Sequence, residues 1–292
     1  MRGWERLVGL ATSALVEVGE KLAASGPWLR PIDVVLALPE LRPGWTQQDA
    51  DRVVWSLGQL VVPNLGPLRV VQGARGHAGA LAEIESAAHL IERGASELCI
   101  VGGVDSYFDE RTIEWLQRNG QLALEDIPIG FSPGEAAAFV ALMSPTAARA
   151  TARPSLASLV GACTAQEHQR IKTDTINKGE ALTTAVARAA ADAGGVEPID
   201  TIYCDINGER YRSEEWGFVA LALSHVCRDP TTYELPSAAW GDVGAASGAL
   251  FVALAVAGWQ RSYARGPRAL LWAGSEGGLR AAVVLEQPMV RG

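Results

Sequence analysis

Runs of apolar residues with two different periods alternate along the chain. Ile32 to Leu38 (IDVVLAL) is continuously apolar and stops at Pro39, which predicts a strand buried on both faces. Thr46 to Val62 opens with a capping Thr and Asp49 three residues later. It then repeats apolar residues at helical spacing through Val53, Leu57 and Leu60. A short strand, Leu68 to Gln72, precedes Gly73 and Gly76. A helix from Ala78 to Arg93, with Leu81, Ile84, Ala88 and Ile91 on one face, ends at Gly94. Leu98 to Val101 is a further buried strand that Gly102-Gly103 is expected to end, and Ala136 to Met143 is another. The Pro/Ala/Arg stretch Ser144 to Pro154 reads as a crossover. Beyond it the pattern predicts strands at Leu156–Ala162 and Ile199–Ile206, helices at Lys178–Ala193, Glu215–Ser224 and Gly248–Arg261, and a terminal hairpin, Ala269–Ala273 with Ala281–Glu286.

Alternation of this kind is the signature of layered α/β structure. The second part of the chain also echoes the first. Gly76-His77-Ala78-Gly79-Ala80 and Gly241-Asp242-Val243-Gly244-Ala245 each open a helix, and each part closes on a double glycine followed by an Ala-rich strand. Two similar halves, 1–150 and 151–292, are the domain expectation.

Composition narrows the function classes. Of 292 residues, 25 are Lys or Arg and 33 Asp or Glu, for a net charge of −8, which argues against general nucleic-acid binding. The longest apolar stretch, Ala249 to Trp259, is too short to span a bilayer. At the N-terminus, Arg2 and Arg6 precede an apolar Leu7 to Val16, as in a signal peptide. Glu5 interrupts the basic region and no cleavage site follows, so this segment is read as a strand and the protein as cytoplasmic. Cys99, Cys163, Cys204 and Cys227 are far apart with no CxxC, and the four histidines lack metal-ligand spacing. Neither a disulfide framework, a metal site nor a cofactor is expected. Cys99 and Cys204 sit in apolar runs as inert core thiols, and Cys163, at a strand end, is expected to be more open. His89 reads as an ordinary helix residue. Asp205, Glu209, Arg210, Tyr211 and Glu214 cluster after a strand, as either a polar pocket or a solvated loop with internal ion pairs.

Four segments in order resemble the thiolase superfamily and, within it, the β-ketoacyl synthases. Gly76-His77 through Gly94 to Val101-Gly102-Gly103-Val104-Asp105 is similar to the nucleophile elbow, buried helix and "VGGV" strand. Phe131-Ser132-Pro133-Gly134-Glu135-Ala136-Ala137 is similar to the "GEGA" segment, and Gly241 to Gly248 to the loop carrying a catalytic His or Asn. Gly274 to Glu286 resembles the terminal "FGFGGTNAALVLE" hairpin. The segment before residue 65 is much shorter than in ordinary ketosynthases.

The resemblance implies an αβαβα layered sandwich of two similar halves, a dimer formed through the first half, and catalytic positions at His77, Asn207 and Asp242. Each position departs from the family. His77 stands where the nucleophilic Cys would be, Asn207 opens the loop of the first catalytic His, and Asp242 takes the place of the second His or Asn. Ser237-Ala238-Ala239 replaces the family Lys segment, and Glu276 the usual Phe. These changes imply a ketosynthase-like pseudoenzyme acting as a non-catalytic partner or scaffold subunit. It would form a homodimer, or a heterodimer with a ketosynthase homologue, and an acyl-carrier protein is a further possible partner. Two alternatives stay open: an acyltransferase or thioester hydrolase using His77 as base or nucleophile with Asp242 orienting it, and a module that binds acyl groups or acyl carriers without chemistry.

Overall fold

The protein is described by a computed structural model covering residues 3–23, 28, 30–63, 65–124, 129–151, 155–170, 175–195 and 197–288. Its described residues form two mixed sheets. The first contains β1 (Ile32–Leu38), β2 (Leu68–Arg75), β3 (Leu98–Ser106) and β4 (Glu135–Met143), in the order β2-β1-β3-β4. β1 is parallel to β2 and β3, and β4 is antiparallel to β3. The second contains β5 (Ser158–Gln166), β6 (Thr201–Cys204), β7 (Arg268–Gly274) and β8 (Leu279–Glu286), in the order β5-β8-β7-β6. Here β8 is antiparallel to both neighbours and β6 is parallel to β7.

Helices fill three layers around these sheets. α1 (Gly3–Ala23) and α2 (Gln47–Gly58) cover the outer face of the first sheet, where Leu7, Leu15, Val53 and Leu57 meet Val34, Leu36, Ile100 and Val104. α3 (Gly79–Glu92) and α9 (Ser247–Gln260) lie between the sheets. There Leu81, Ile84 and Phe251 meet Cys99 and Val101 from one sheet and Leu271, Ala273 and Val283 from the other. α6 (Glu180–Asp192) and α7 (Arg210–Ala222) cover the outer face of the second sheet against Leu270, Trp272 and Val284. The alternation of Leu270 and Trp272 outward with Leu271 and Ala273 inward is the strand period of two, with both faces buried. α4 (Glu110–Arg118), α5 (Pro145–Ala150) and α8 (Ser237–Trp240) are connections.

Several elements differ from the sequence expectations. The segment Leu7 to Val16 is part of the helix α1, not a strand. Leu7, Ala11, Leu15, Gly19 and Leu22 recur at a spacing of about four and form its buried stripe. Gly102-Gly103 does not end β3, which continues to Ser106. Each glycine is there because a neighbour comes too close for a side chain: a Cβ on Gly103 would lie 1.9 Å from the Ala245 carbonyl oxygen, just ahead of α9, and one on Gly102 would lie 2.2 Å from the Ala138 carbonyl oxygen of β4. α7 begins at Arg210, five residues before the expected start, and β6 is only Thr201–Cys204. α4 is capped by Asp109, which accepts from the amides of Arg111 and Thr112, and has no counterpart in the expected elements. The capping box of Thr46 with Asp49 is present as expected. Within the expected crossover Ser144–Pro154, residues 145–150 form α5, capped by Ser144, and 152–154 lie outside the described residues.

Two glycine substitutions separate close packing from helix propensity. Gly103→Ala is expected to lower the unfolding free energy by about 1–3 kcal/mol through overpacking. Gly217→Ala, in α7 with open space around it, is expected to raise it by about 0.5–1 kcal/mol. Urea unfolding measures both, and equal effects would contradict the close approach of β3 and the middle layer.

Candidate functional site

The candidate site lies at the carboxyl ends of β2, β6 and β7, the end of an α/β sheet where sites are usually built. Gly76 follows β2 with φ +74° and turns the chain into α3, which brings His77 to the mouth of that helix. Asp242 comes from the turn between α8 and the 3-10 turn Gly244–Ala246 that leads into α9. Asp205 and Asn207 come from the loop after β6, and Glu209 and Arg212 from the start of α7.

His77 and Asp242 are buried and paired: His77 Nε2 lies 2.8 and 2.9 Å from the two Asp242 carboxylate oxygens. The carboxylate also accepts from Asn207 Nδ2 and, at 2.8 Å, from the Gly244 amide. Asn207 is held in turn by Glu209, donating to its Oε2 at 3.2 Å and accepting from its amide at 3.0 Å. On the other side of the ring, Arg212 Nη2 is 3.4 Å from His77 Nδ1. The Arg212 guanidinium, 2% exposed, pairs with Asp205, donates to the Gly274 carbonyl at 2.8 Å and reaches Glu209 Oε2 at 3.3 Å. Gly274 returns its amide to Asp205 at 2.8 Å. The three positions singled out in the sequence are thus brought together. Arg212, which locks them, escaped the sequence reading. Helical phase carries the signal for it: Arg210 and Glu214 pair at 2.6 Å on the solvent face, and Arg212, two residues from each, points the opposite way.

The electrostatics follow from burial and charge. Burial alone would raise the Asp242 carboxyl. The charge and hydrogen bond of His77, the charge of Arg212 and the hydrogen bond of Asn207 outweigh it and hold Asp242 well below the usual carboxylate range. Burial and Arg212 both oppose an imidazolium at His77, but the Asp242 carboxylate prevails and the His77 pKa is raised. When His77 is neutral, Nε2–H donates to Asp242 and Nδ1 accepts from Arg212, so neither nitrogen offers a free lone pair. The α3 amide next to the ring is also taken: Ala78 N donates to Ser275 Oγ at 3.1 Å, and that hydroxyl donates to the Arg75 carbonyl at 2.8 Å. The cavity beside His77, lined by Asp205, Ser237, Asp242, Ser247 and Phe251 among others, is about 10 Å³, at most the space of one water.

The remaining departures are also engaged. Ser237 Oγ donates to the Ile206 carbonyl at 2.7 Å. Glu276 accepts from Gln121 at 2.8 Å, and its amide donates to Glu40 at 3.0 Å. The polar cluster expected after β6 therefore divides. Asp205 and Glu209 are in the site, Arg210 and Glu214 are solvated, and the buried Tyr211 hydroxyl has no hydrogen-bond partner among the described residues. Cys163 is 7% exposed, which corrects the expectation of a more open thiol, because α6 packs against β5. Burial raises its pKa and pushes that of Cys227 up to about 12. Cys99 and Cys204 are fully buried, and His89 is exposed on α3. Among the described residues no group of His, Cys, Asp and Glu is placed to hold a metal ion, and no helix is long and apolar enough to cross a membrane.

Two measurements test the cluster. Asp242→Ala leaves the His77 and Arg212 charges buried with one carboxylate fewer, and it is expected to cost about 3–5 kcal/mol in urea unfolding. The second is the stability difference between wild type and His77→Gln as a function of pH. Asp242, with a folded pKa below its ordinary 3.8, contributes above that value and loses the contribution as pH falls through the folded one. His77, with a folded pKa above its ordinary 6.5, contributes fully below 6.5 and loses the contribution as pH rises through the folded one. The difference should therefore be largest between these limits and shrink on both sides. A pH-independent difference would contradict a charged pair.

No family model and no curated protein matches the chain. Solved structures do. The ketosynthase from module 6 of the bacillaene synthase from Bacillus subtilis 168 matches with a TM-score of 0.71 at 14% identity, over 96% of this chain and 59% of that one. One chain of AntDE:AntF, a type II PKS acyl-carrier protein in complex with its ketosynthase bound to the hexaketide, matches with a TM-score of 0.76 at 14% identity, over 98% and 85%. The oxazolomycin ketosynthase domain OzmH KS7 of Streptomyces albus JA3453 matches with a TM-score of 0.72 at 15% identity, over 96% and 59%. This chain therefore spans less than two thirds of the length of the bacillaene and oxazolomycin ketosynthases. The two sheets, the buried helix pair between them and these neighbours establish that the chain has a thiolase-like, β-ketoacyl-synthase-like fold.

Proposed function

We propose that the protein is a ketosynthase-like pseudoenzyme, a non-catalytic partner or scaffold subunit built on two thiolase-like halves, 1–150 and 151–292. The observation that carries this reading is the closed state of the site. Acyl transfer needs a nucleophile with a free lone pair, donors left open for the developing oxyanion and room for the acyl group. Here both ring nitrogens of His77 are engaged, the Ala78 amide is held by Ser275, and the adjoining cavity is about 10 Å³. A scaffold role asks only that the fold persist, and internal hydrogen bonds in place of substrate serve that end. The protein would assemble as a homodimer or with a ketosynthase homologue. An acyl-carrier protein is a candidate partner, since one is present with its ketosynthase in the AntDE:AntF complex.

The 2.8 Å His77–Asp242 contact also supports a second reading, a base and its orienting carboxylate in an acyltransferase or thioester hydrolase. Incubation with acyl-CoA and acyl-carrier thioesters, followed by intact mass and thioester loss, separates the two. No adduct and no turnover above background are expected, in wild type and in His77→Ala alike. An adduct on His77, or turnover that His77→Ala abolishes, would establish the second reading instead.

A further inference from the structure

Two Asn-Gly pairs occur in the chain, Asn119-Gly120 and Asn207-Gly208. In such a pair the glycine amide nitrogen can attack the Asn side-chain carbonyl carbon and close a five-membered ring, because no Cβ hinders the approach. The structure treats the two pairs differently. Asn119 is the C-cap of α4. The Gly120 amide donates to the Gln117 carbonyl at 3.0 Å, and Asn119 Nδ2 donates to the Trp115 carbonyl at 2.8 Å. Attack there would first have to break the helix cap.

Asn207 and Gly208 lie in the loop between β6 and α7. Gly208 is exposed, with φ +105°, and among the described residues its amide donates to no acceptor. Its carbonyl is fixed instead, accepting from the Gly130 amide at 3.3 Å. The Asn207 side chain turns along its own backbone, where Oδ1 accepts from the Glu209 amide at 3.0 Å. That donor sits on the oxygen that becomes negative when the carbonyl carbon is attacked. The fold requires both residues. A Cβ at position 208 would lie 2.2 Å from the Gly130 carbonyl oxygen, in a backbone conformation that favours glycine. Asn207 Nδ2 is the donor that Asp242 and Glu209 share. The site therefore imposes a reactive pair on the sequence.

We propose that Asn207 is a self-modification site, converted slowly to a carboxylate through a succinimide formed with Gly208. The Gly208 N–H gives its proton to a solvent base, and the nitrogen bonds to Asn207 Cγ. The Cγ–Nδ2 bond breaks, and Nδ2 leaves as ammonia after taking a proton from water. A water molecule then opens the ring on one side or the other. The products are aspartate, or isoaspartate in which the main chain runs through the former side chain. The new carboxylate faces Asp242 and Glu209, each of which loses a donor and gains a like charge. The conversion thus loosens the grip of Asp242 on His77 and on the entrance of α9, a one-way change built into the closed site. It goes beyond the scaffold reading and does not depend on it, since it needs only the geometry of this loop.

The test is storage of the folded protein at mildly alkaline pH, with peptide mass spectrometry and isoaspartate detection over time. Asn207 should gain the mass of an amide becoming a carboxyl, as a mixture of aspartate and isoaspartate, several-fold faster than Asn119. In protein unfolded in urea the two pairs should convert at similar rates, because the helix cap that protects Asn119 is then gone. Asn207→Asp, which mimics one product, should have a lower thermal midpoint and faster hydrogen exchange at the Gly244 amide, which donates to Asp242. An Asn207 that stays an amide, or an Asn119 that converts as fast in the folded protein, would overturn the modification site. A difference between the pairs that persists in urea would overturn the role given to the fold. An Asn207→Asp variant with the wild-type midpoint and a protected Gly244 amide would overturn the loosening of the site.

Discussion

Arg212 is a charge that the fold has removed from water almost completely, and the surrounding structure is arranged to answer it. A guanidinium in that position needs carboxylates and carbonyls at fixed places, since the cost of desolvation is met only by close, well-directed partners. Asp205 and Glu209 supply the charge, and the Gly274 carbonyl a further acceptor. These partners come from the ends of β6 and β7 and the start of α7. Arg212 therefore fixes how the outer helix sits on the second sheet. Through His77 Nδ1 it also touches the first half of the chain, 135 residues away in sequence. Asp242 completes the bridge by joining His77 to the entrance of α9.

The same chemistry recurs at two other seams. Arg42 donates to Asp105 at 2.6 Å and stacks over Tyr107, while Asp105 accepts from the Ala245 amide ahead of α9. Arg280 of β8 pairs with Glu215 of α7 at 2.7 Å, with both side chains buried. Apolar packing supplies the bulk of the middle layer, but it is non-directional. The buried ion pairs add direction. The Arg42–Asp105 and Arg280–Glu215 pairs join elements 63 and 65 residues apart, and each would leave an uncompensated charge if its elements shifted. The glycines serve the same seams from the steric side: a Cβ on Gly244 would lie 2.0 Å from Asp105 Oδ2.

A site assembled in this way is closed by its own completeness. A group that waits for substrate is left partly unsatisfied or open to a cavity. Here the imidazole, the carboxylate, the amide at the head of α3 and the Ser275 hydroxyl are already each other's partners.

The sequence by itself determined the layered α/β plan. Strand and helix periods depend on neighbours one to four residues apart, and a Gly or Pro marks their ends. It also put His77 and Asp242 at the heads of two buried helices, because their glycine-rich surroundings lie at matching points of the two halves, and the resemblance to the ketosynthases added Asn207. It misjudged Leu7 to Val16, where a continuous apolar run hid the spacing that makes α1 amphipathic. It ended β3 at Gly102-Gly103, because a turn glycine and a glycine demanded by a neighbouring backbone look alike in one dimension. It missed Arg212, whose two flanking charges are solvated and whose partners lie in other elements. Whether the site is open or filled was decided only by tertiary structure. That depends on close contacts between residues up to 200 positions apart, such as Ser275 and Arg75 at 2.8 Å, and no local pattern encodes such distances.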